Sequence, residues 1–285
     1  MTLLSETVRR PRFTVGRAWA YVALVALLLV AVFPILWLVL TSLMPSNLIM
    51  RSTPTLVFTP TFEHFAAIFG TGRGAITTYL VNSVIVTLVS TVCAVALAIF
   101  AAYGIARVRP RGHEKLSLLI LTSRMLPPVG LVVPMYLIAR NTGLLDTHLA
   151  LILPYIAINI PLATWMLQGF FMDLPKELEE AAMIDGCGRV MAFVRVVLPL
   201  AGPGIAAVSV FCFVLAWNDM VLALPLTLRD AVTLPPFMSQ VRQEEGVAWG
   251  QLGATTVVVM APVILFTLAV QRWIVSGLTA GAAKG

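Results

Sequence analysis

Six stretches of mostly apolar residues, each long enough to be a membrane span, recur along this chain, and nothing else in the sequence limits its fold so strongly. A helix needs about 20 such residues to cross a hydrocarbon layer about 30 Å thick. The stretches run from Trp19 to Leu40, Tyr79 to Ile105, Leu116 to Ala139, His148 to Phe170, Ile205 to Leu226 and Gln251 to Val270. In lipid a backbone N–H or C=O finds no water, so each stretch must satisfy its own hydrogen bonds as a helix. The expected fold class is an all-α membrane protein of six transmembrane helices in one domain over residues 1–285. A helix-turn-helix loop is expected between spans 4 and 5. Composition agrees, with 59% hydrophobic and 11% charged residues, where soluble chains carry about 45–50% and about 25%.

Arg9, Arg10, Arg12 and Arg17 precede the first stretch, as they would in a signal peptide. That stretch is too long for a signal core and ends in Pro45-Ser46-Asn47 without a small-residue cleavage site, so it reads as a retained anchor. Basic residues near span ends stay on the cytoplasmic side. With the N-terminus inside, thirteen of the 19 Lys and Arg residues fall on inner segments, five on outer ones, and Arg124 within a span. Both termini are therefore expected in the cytoplasm, as segments 1–18 and 271–285 of a multi-pass protein. The net charge of +6 is accounted for by topology, and no nucleic-acid partner is expected.

Several chemistries lack their residues. A phosphate-cradling G-x-x-x-x-G-K-S/T loop needs a lysine after a glycine, and Lys115, Lys176 and Lys284 follow Glu, Pro and Ala. Cys93, Cys187 and Cys212 stand singly, with neither disulfide nor metal spacing, and His64, His113 and His148 are isolated. The chain is expected to hold no metal or cofactor and to be no enzyme.

Residues 172–200 carry two helical patterns. Pro175 suits a first helical turn, and Glu177, Glu179 and Glu180 suit its positive end. Leu178, Ala181 and Ala182 share one face, small enough for another protein to approach closely. Gly186 and Gly188 break that helix. A second one follows, with Val190, Phe193, Val194 and Val197 on one face, Arg189 and Arg195 beside it, and Pro199 near its end.

Glu180-Ala181-Ala182, Gly186 after Asp185, and Val196-x-Leu198-Pro199 follow the pattern E-A-A-x3-G-x9-I-x-L-P, with Val196 in place of Ile. The sequence here resembles the permeases of ABC importers. The tail from Gly277 to Gly285, Arg124-Met125-Leu126-Pro127-Pro128 and Trp217-Asn218-Asp219 resemble the maltose-type carbohydrate branch of that family. The resemblance implies an inner-membrane subunit that forms, with a second permease, an alternating-access pathway for a sugar or sugar derivative. It also implies two nucleotide-binding ATPase subunits that use ATP and Mg, and an extracytoplasmic solute-binding protein. Residues 172–200 would be the coupling loop, and Leu278, Thr279, Gly281 and Lys284 would reach the ATPase. The outer loop from Leu234 to Gly250, with the acidic pair Glu244 and Glu245, would enter the sugar cleft of the binding protein.

Candidates for the pathway follow from polarity. Arg124 lies inside the third span, where an ionisable residue costs about 2.5–3.5 kcal/mol unless it is paired or hydrated. It is expected either to face the bundle interior and meet Asp219, or to snorkel to an interface. Asp219 closes the trio Trp217, Asn218 and Asp219 late in the fifth span, and Asn159 and Gln168 line the path or bond across helices. Pro127, Pro128 and Pro134 make the third span a broken helix. An ion-coupled secondary transporter, which would use intramembrane carboxylates, and a membrane-embedded enzyme are the rival readings.

Overall fold

The computed structural model describes residues 15–49, 51, 55, 57–70, 75–240 and 248–282, with side chains described from 19 to 239 and from 248 to 273 within those ranges. All the regular secondary structure of those residues is helical, without strands. The helices are α1 (Val15–Leu43), α2 (Ser46–Ile49), α3 (Glu63–Ile68), α4 (Ile76–Tyr103), α5 (His113–Ser123) and α6 (Pro128–Asn141). They continue as α7 (His148–Asp173), α8 (Lys176–Ile184), α9 (Arg189–Ala192), α10 (Leu198–Leu200) and α11 (Gly202–Trp217). α12 (Ala223–Leu226), α13 (Leu234–Gln240) and α14 (Trp249–Ala282) complete the order. Among the described residues four helices are long and apolar enough to cross a membrane, and up to six spans result if each of two bent pairs counts as one.

The bent pairs are α5 with α6, and Arg189–Leu200 with α11, the latter at 71°. Pro127 and Pro128 remove two backbone donors and push the preceding residue out of helical geometry, so α5 and α6 meet at 85°. The break expected in the third span is present. The fifth span was expected to run unbroken to Leu226, but α11 stops at Trp217 and the last turn stands apart as α12. The sixth was expected to end near Val270, yet α14 continues to Ala282, so residues 271–282 of the expected tail extend the span's own helix.

α4 and α7 form the spine and run parallel, with His148 beside Asn82 at their starts and Phe171 beside Tyr103 at their ends. Ala94, Ala98 and Ala102 recur every four residues on α4 and are fully buried. With Ala106 they form a small-residue stripe, which lets the backbones approach closely where lipid offers no hydrophobic drive. Ala163, Leu167 and Phe171 answer from α7 at the same interval, and Val208 and Cys212 of α11 close the cluster. α11 packs antiparallel to both, and α14 packs on α11 and on α1. The main apolar window of α1 has no buried residue, so that surface faces lipid or another chain.

Glycines set two close approaches. A Cβ on Gly204 would stand 2.4 Å from the Phe170 ring, and one on Gly250 would stand 2.1 Å from His64 Nε2. His64 is held there by the Met44 carbonyl at 2.9 Å, so α3, the end of α1 and the start of α14 meet at one point.

Candidate functional site

The loop between α7 and α11 is built around a helix with two different faces. Pro175 adopts φ −58° and ψ 129° before α8, and Glu177 and Glu179 follow in the first turn, where the helix dipole favours anions. α8 ends by a reproducible device. Cys187 N–H bonds to Ala182 O at 3.0 Å and Gly186 N–H to Met183 O at 3.1 Å, the paired bonds of a Schellman cap. Gly186 provides the required left-handed residue at φ 93°. The spacing from Ala182 to Gly186 in the motif is therefore the geometry of a helix stop.

Outward, Glu180, Ala181, Asp185 and Gly186 are exposed and Ala182 is half-buried. Ile184 and Val190 are 87% and 77% exposed beside them, an apolar patch on an otherwise polar loop. Leu198 is half-buried and Pro199 exposed where the loop re-enters the bundle. The single apolar face expected for the second helix is split. Phe193 and Val197 are buried whereas Val190 and Val194 face out, because residues Phe193–Val197 form a π-helical turn that winds wider than 3.6 residues.

Inward, Glu179 is only 6% exposed. Its Oε1 accepts from the Tyr103 hydroxyl and its Oε2 lies 3.5 Å from Arg107 Nε, while Arg107 Nη2 donates to Leu174 O at 2.9 Å. The Phe193 ring packs tilted at 46° against Tyr103, with ring centroids 4.3 Å apart. Sequence reasoning missed this contact, since 76 residues separate Tyr103 from Glu179.

A cavity of about 110 Å³ opens at the α5–α6 break, lined by Arg124, Tyr155, Asn159 and Asp219 among others. Arg124 faces the bundle and donates to Ile158 O at 3.0 Å. Asp219 takes the Tyr155 hydroxyl at 2.9 Å and the backbone N–H groups of Leu222 and Ala223, so it caps the turn before α12. The expected contact between Arg124 and Asp219 is not made: they line one cavity with separate partners. Asn159 is buried and donates to Cys212 O at 3.5 Å. Trp217 does not line this space. It is 2% exposed, stacked on Phe213 and packed with Ile76, Leu234 and Ala254. Asn218 is exposed and returns to Val214 O at 2.8 Å, and Gln168 accepts from Ser117 on α5 at 2.7 Å.

At the opposite end of α4 a polar network pins the segment ahead of α13. The Asp146 carboxylate accepts from the backbone N–H groups of Leu228, Arg229, Asp230 and Ala231. Asn82 Nδ2 donates to Asp230 O and Val232 O, its Oδ1 meets His148 Nε2 at 2.8 Å, and Ser83 Oγ accepts from Leu234 N at 2.7 Å. Glu244 and Glu245 lie outside the described residues. Among the described residues no three His, Cys, Asp or Glu side chains converge as a metal set. The backbone of Leu278, Thr279 and Gly281 lies within α14, while the side chains of Leu278 and Thr279, and Lys284 as a whole, lie outside the described residues.

The profile of one protein family, the binding-protein-dependent transport system inner membrane component, matches residues 94–280, from the second span through the loop and into the tail. The chain belongs to that family. The permease is 38% identical over 283 residues, 98% of each chain, to a probable ABC transporter permease of Sinorhizobium fredii. It is 39% identical over 261 residues, 90% of this chain and 93% of the other, to a trehalose transport system permease of Mycobacterium tuberculosis. It is 36% identical over 272 residues, 95% and 98%, to a diacetylchitobiose uptake permease of Streptomyces coelicolor. The fold matches a subunit of a bacterial ABC transporter that imports the acidic polysaccharide alginate, with TM-score 0.74 at 22% identity, covering 92% of this chain and 99% of that one. The permease is thus a multi-pass inner-membrane subunit of an ABC importer and is not itself the ATPase. Membership displaces the ion-coupled and enzymatic readings.

Proposed function

We propose that the permease forms, with a second and different permease, the alternating-access pathway of a carbohydrate importer. Six spans leave both termini in the cytoplasm, each bent pair counting as one. α8 docks in a cleft of one of two ATPase subunits, which alone hold ATP and Mg. Leu278, Thr279, Gly281 and Lys284 extend from α14 toward the same subunits. A solute-binding protein delivers the cargo at the opposite end, where the segment from Leu234 to Gly250 meets it. Relatives named for trehalose and for diacetylchitobiose support a sugar or sugar derivative as cargo.

The observation that carries this reading is the capped α8, whose outer surface presents Ala181, Asp185 and Gly186 next to exposed Ile184. A small-residue helix face lets a partner approach closely, and an exposed apolar patch marks an interaction surface. The cavity beside Arg124, at about 110 Å³, holds a few waters of about 30 Å³ each. Arg124, Asn159 and Asp219 border the closed pathway, and passage of a sugar needs α5–α6 and α11 to separate.

The reading is tested by reconstituting the permease with its partner permease, ATPase and binding protein in liposomes. Hydrolysis is measured with trehalose, maltose, diacetylchitobiose and arabinooligosaccharides presented to the binding protein. One of these sugars should stimulate hydrolysis and accumulate in the vesicles. Stimulation by none of them defeats the carbohydrate assignment, and absence of a co-purifying ATPase defeats the docking assignment.

A further inference from the structure

α8 has weak covalent control over its own direction. It is joined to α7 through Leu174 and Pro175, both extended at ψ 134° and 129°, and leaves through the glycine turn at Gly186. Two extended residues followed by a glycine turn leave a nine-residue helix free to swing, and a swinging helix would absorb any push from a partner.

α8 packs against the returning loop at Arg189–Ala192 and Phe193–Val197, and its buried polar anchor comes from the end of α4 and the turn that follows it. Tyr103 is the last residue of α4, and Arg107 lies in the π-helical turn Gly104–Val108 that continues it. Tyr103 donates to one oxygen of Glu179, Arg107 Nε forms an ion pair with the other at 3.5 Å without a hydrogen bond, and Arg107 Nη2 donates to the Leu174 carbonyl, the first joint of the hinge itself. Both members of the ion pair are buried, at 6% and 8% side-chain exposure, so neither is screened by water. Tyr103 is further wedged between Phe171 of α7 and Phe193 of the returning loop, at 6.0 and 4.3 Å. Arg107 and Phe193 themselves lie in π-helical turns, Gly104–Val108 and Phe193–Val197, an element found frequently at functional sites in helices.

We propose that Tyr103, Arg107 and Glu179 are positioning residues that fasten α8 to α4 as one rigid body, so that motion imposed on α8 travels along α4 and its alanine stripe to α7. The clamp rests on the reading of α8 as the docking element, and the two fail separately in the following experiment. In a variant lacking Cys93, Cys187 and Cys212, spin labels are placed at Ile184→Cys on α8 and Val81→Cys near the far end of α4. Distances are measured in the full complex in nanodiscs, nucleotide-free and trapped with Mg-ATP and vanadate.

A rigid clamp gives one narrow distance that is the same in both states. Arg107→Met and Glu179→Gln broaden it and lower the ratio of binding-protein-stimulated to basal ATP hydrolysis several-fold, whereas a purely structural loss would lower both rates together. A distance that changes between states in the otherwise unsubstituted complex overturns the clamp, as does an unchanged stimulation ratio in both variants. If the variants do not assemble, the two-state distance without them decides. Crosslinking of Ile184→Cys to the ATPase reports docking independently, so a missing crosslink counts against the docking reading and a variable distance against the clamp.

Discussion

The Tyr155 hydroxyl donates to Asp219 Oδ2 at 2.9 Å and so joins α7 to the point where α11 gives way to α12. The same oxygen accepts from Leu222 N at 3.1 Å and Ala223 N at 3.3 Å. Asp219 is therefore first a cap for a broken helix, placed on the wall of the cavity it shares with Arg124.

Removing the two partners should have unequal effects. Tyr155→Phe deletes one hydrogen bond and leaves the carboxylate its two backbone donors, at a cost of about 0.5–1.5 kcal/mol. Asp219→Ala strands a buried hydroxyl and two N–H groups together, and each unsatisfied group costs about 1–3 kcal/mol. Thermal unfolding in detergent should rank Asp219→Ala well below Tyr155→Phe, with Asp219→Asn close to the parent because an amide oxygen can replace Oδ2. Loss of uptake in Asp219→Asn at unchanged stability would assign the charge a part in transport.

Gly204 sits where α11 crosses α7, and no side chain fits there while Phe170 keeps its place, since the added Cβ would come within 2.4 Å of Phe170 Cγ. Overpacking of this kind costs about 1–3 kcal/mol. Gly204→Ala should lower the unfolding midpoint, and Gly204→Ala combined with Phe170→Leu should recover most of the loss. Equal midpoints for the single and double variants would show that the ring is not what confines this site.

The sequence foretold what depends on neighbours in the chain. A prolonged apolar run can only be a helix in lipid, and Pro127 with Pro128 breaks the third span wherever it is buried. The distance from Ala182 to Gly186 is likewise local, being the length of one helix stop. Contacts between distant segments stayed hidden. Glu179 looked like one more acidic residue at the positive end of a helix, beside Glu177 and Glu180, and only the arrival of the chain after α4 makes it a buried partner of Arg107. Trp217 looked like pathway lining because it precedes Asn218 and Asp219, yet the fully helical turn before the break aims it into the core. Asp146 carried no signal at all, because its role depends on four N–H groups more than 80 residues away.

That aspartate makes a pH-dependent prediction outside the spans. Burial pushes its carboxyl up, but the backbone N–H groups of Leu228, Asp230, Arg229 and Ala231 outweigh burial and hold it below its ordinary 3.8. A depressed folded pKa means the ionised form is the one the fold prefers. Its contribution is complete above pH 3.8 and is lost as pH falls through the lower folded value. Above that window Asp146→Asn should still destabilise, because both carboxylate oxygens accept and the amide must turn an NH2 toward the donors, at about 1–3 kcal/mol. Limited proteolysis at neutral pH should cut the Leu228–Ala231 segment faster in Asp146→Asn, and an unchanged rate would remove Asp146 as its anchor.

The left-handed residue that ends α8 offers a test with no steric contribution. Nothing lies within 4 Å of a Cβ built on Gly186, so Gly186→Ala meets only its own backbone at φ 93°. A non-glycine residue in this region costs about 1–2 kcal/mol, and asparagine tolerates it better than alanine. If the cap sets the direction in which Ala181 and Asp185 face a partner, co-purification of the ATPase should fall in the order parent, Gly186→Asn, Gly186→Ala. The unfolding midpoint of the bundle, whose buried clusters lie elsewhere, should change little. The opposite pattern, a lowered midpoint with undiminished ATPase binding, would mean that the cap serves the fold of the permease and not the surface it presents.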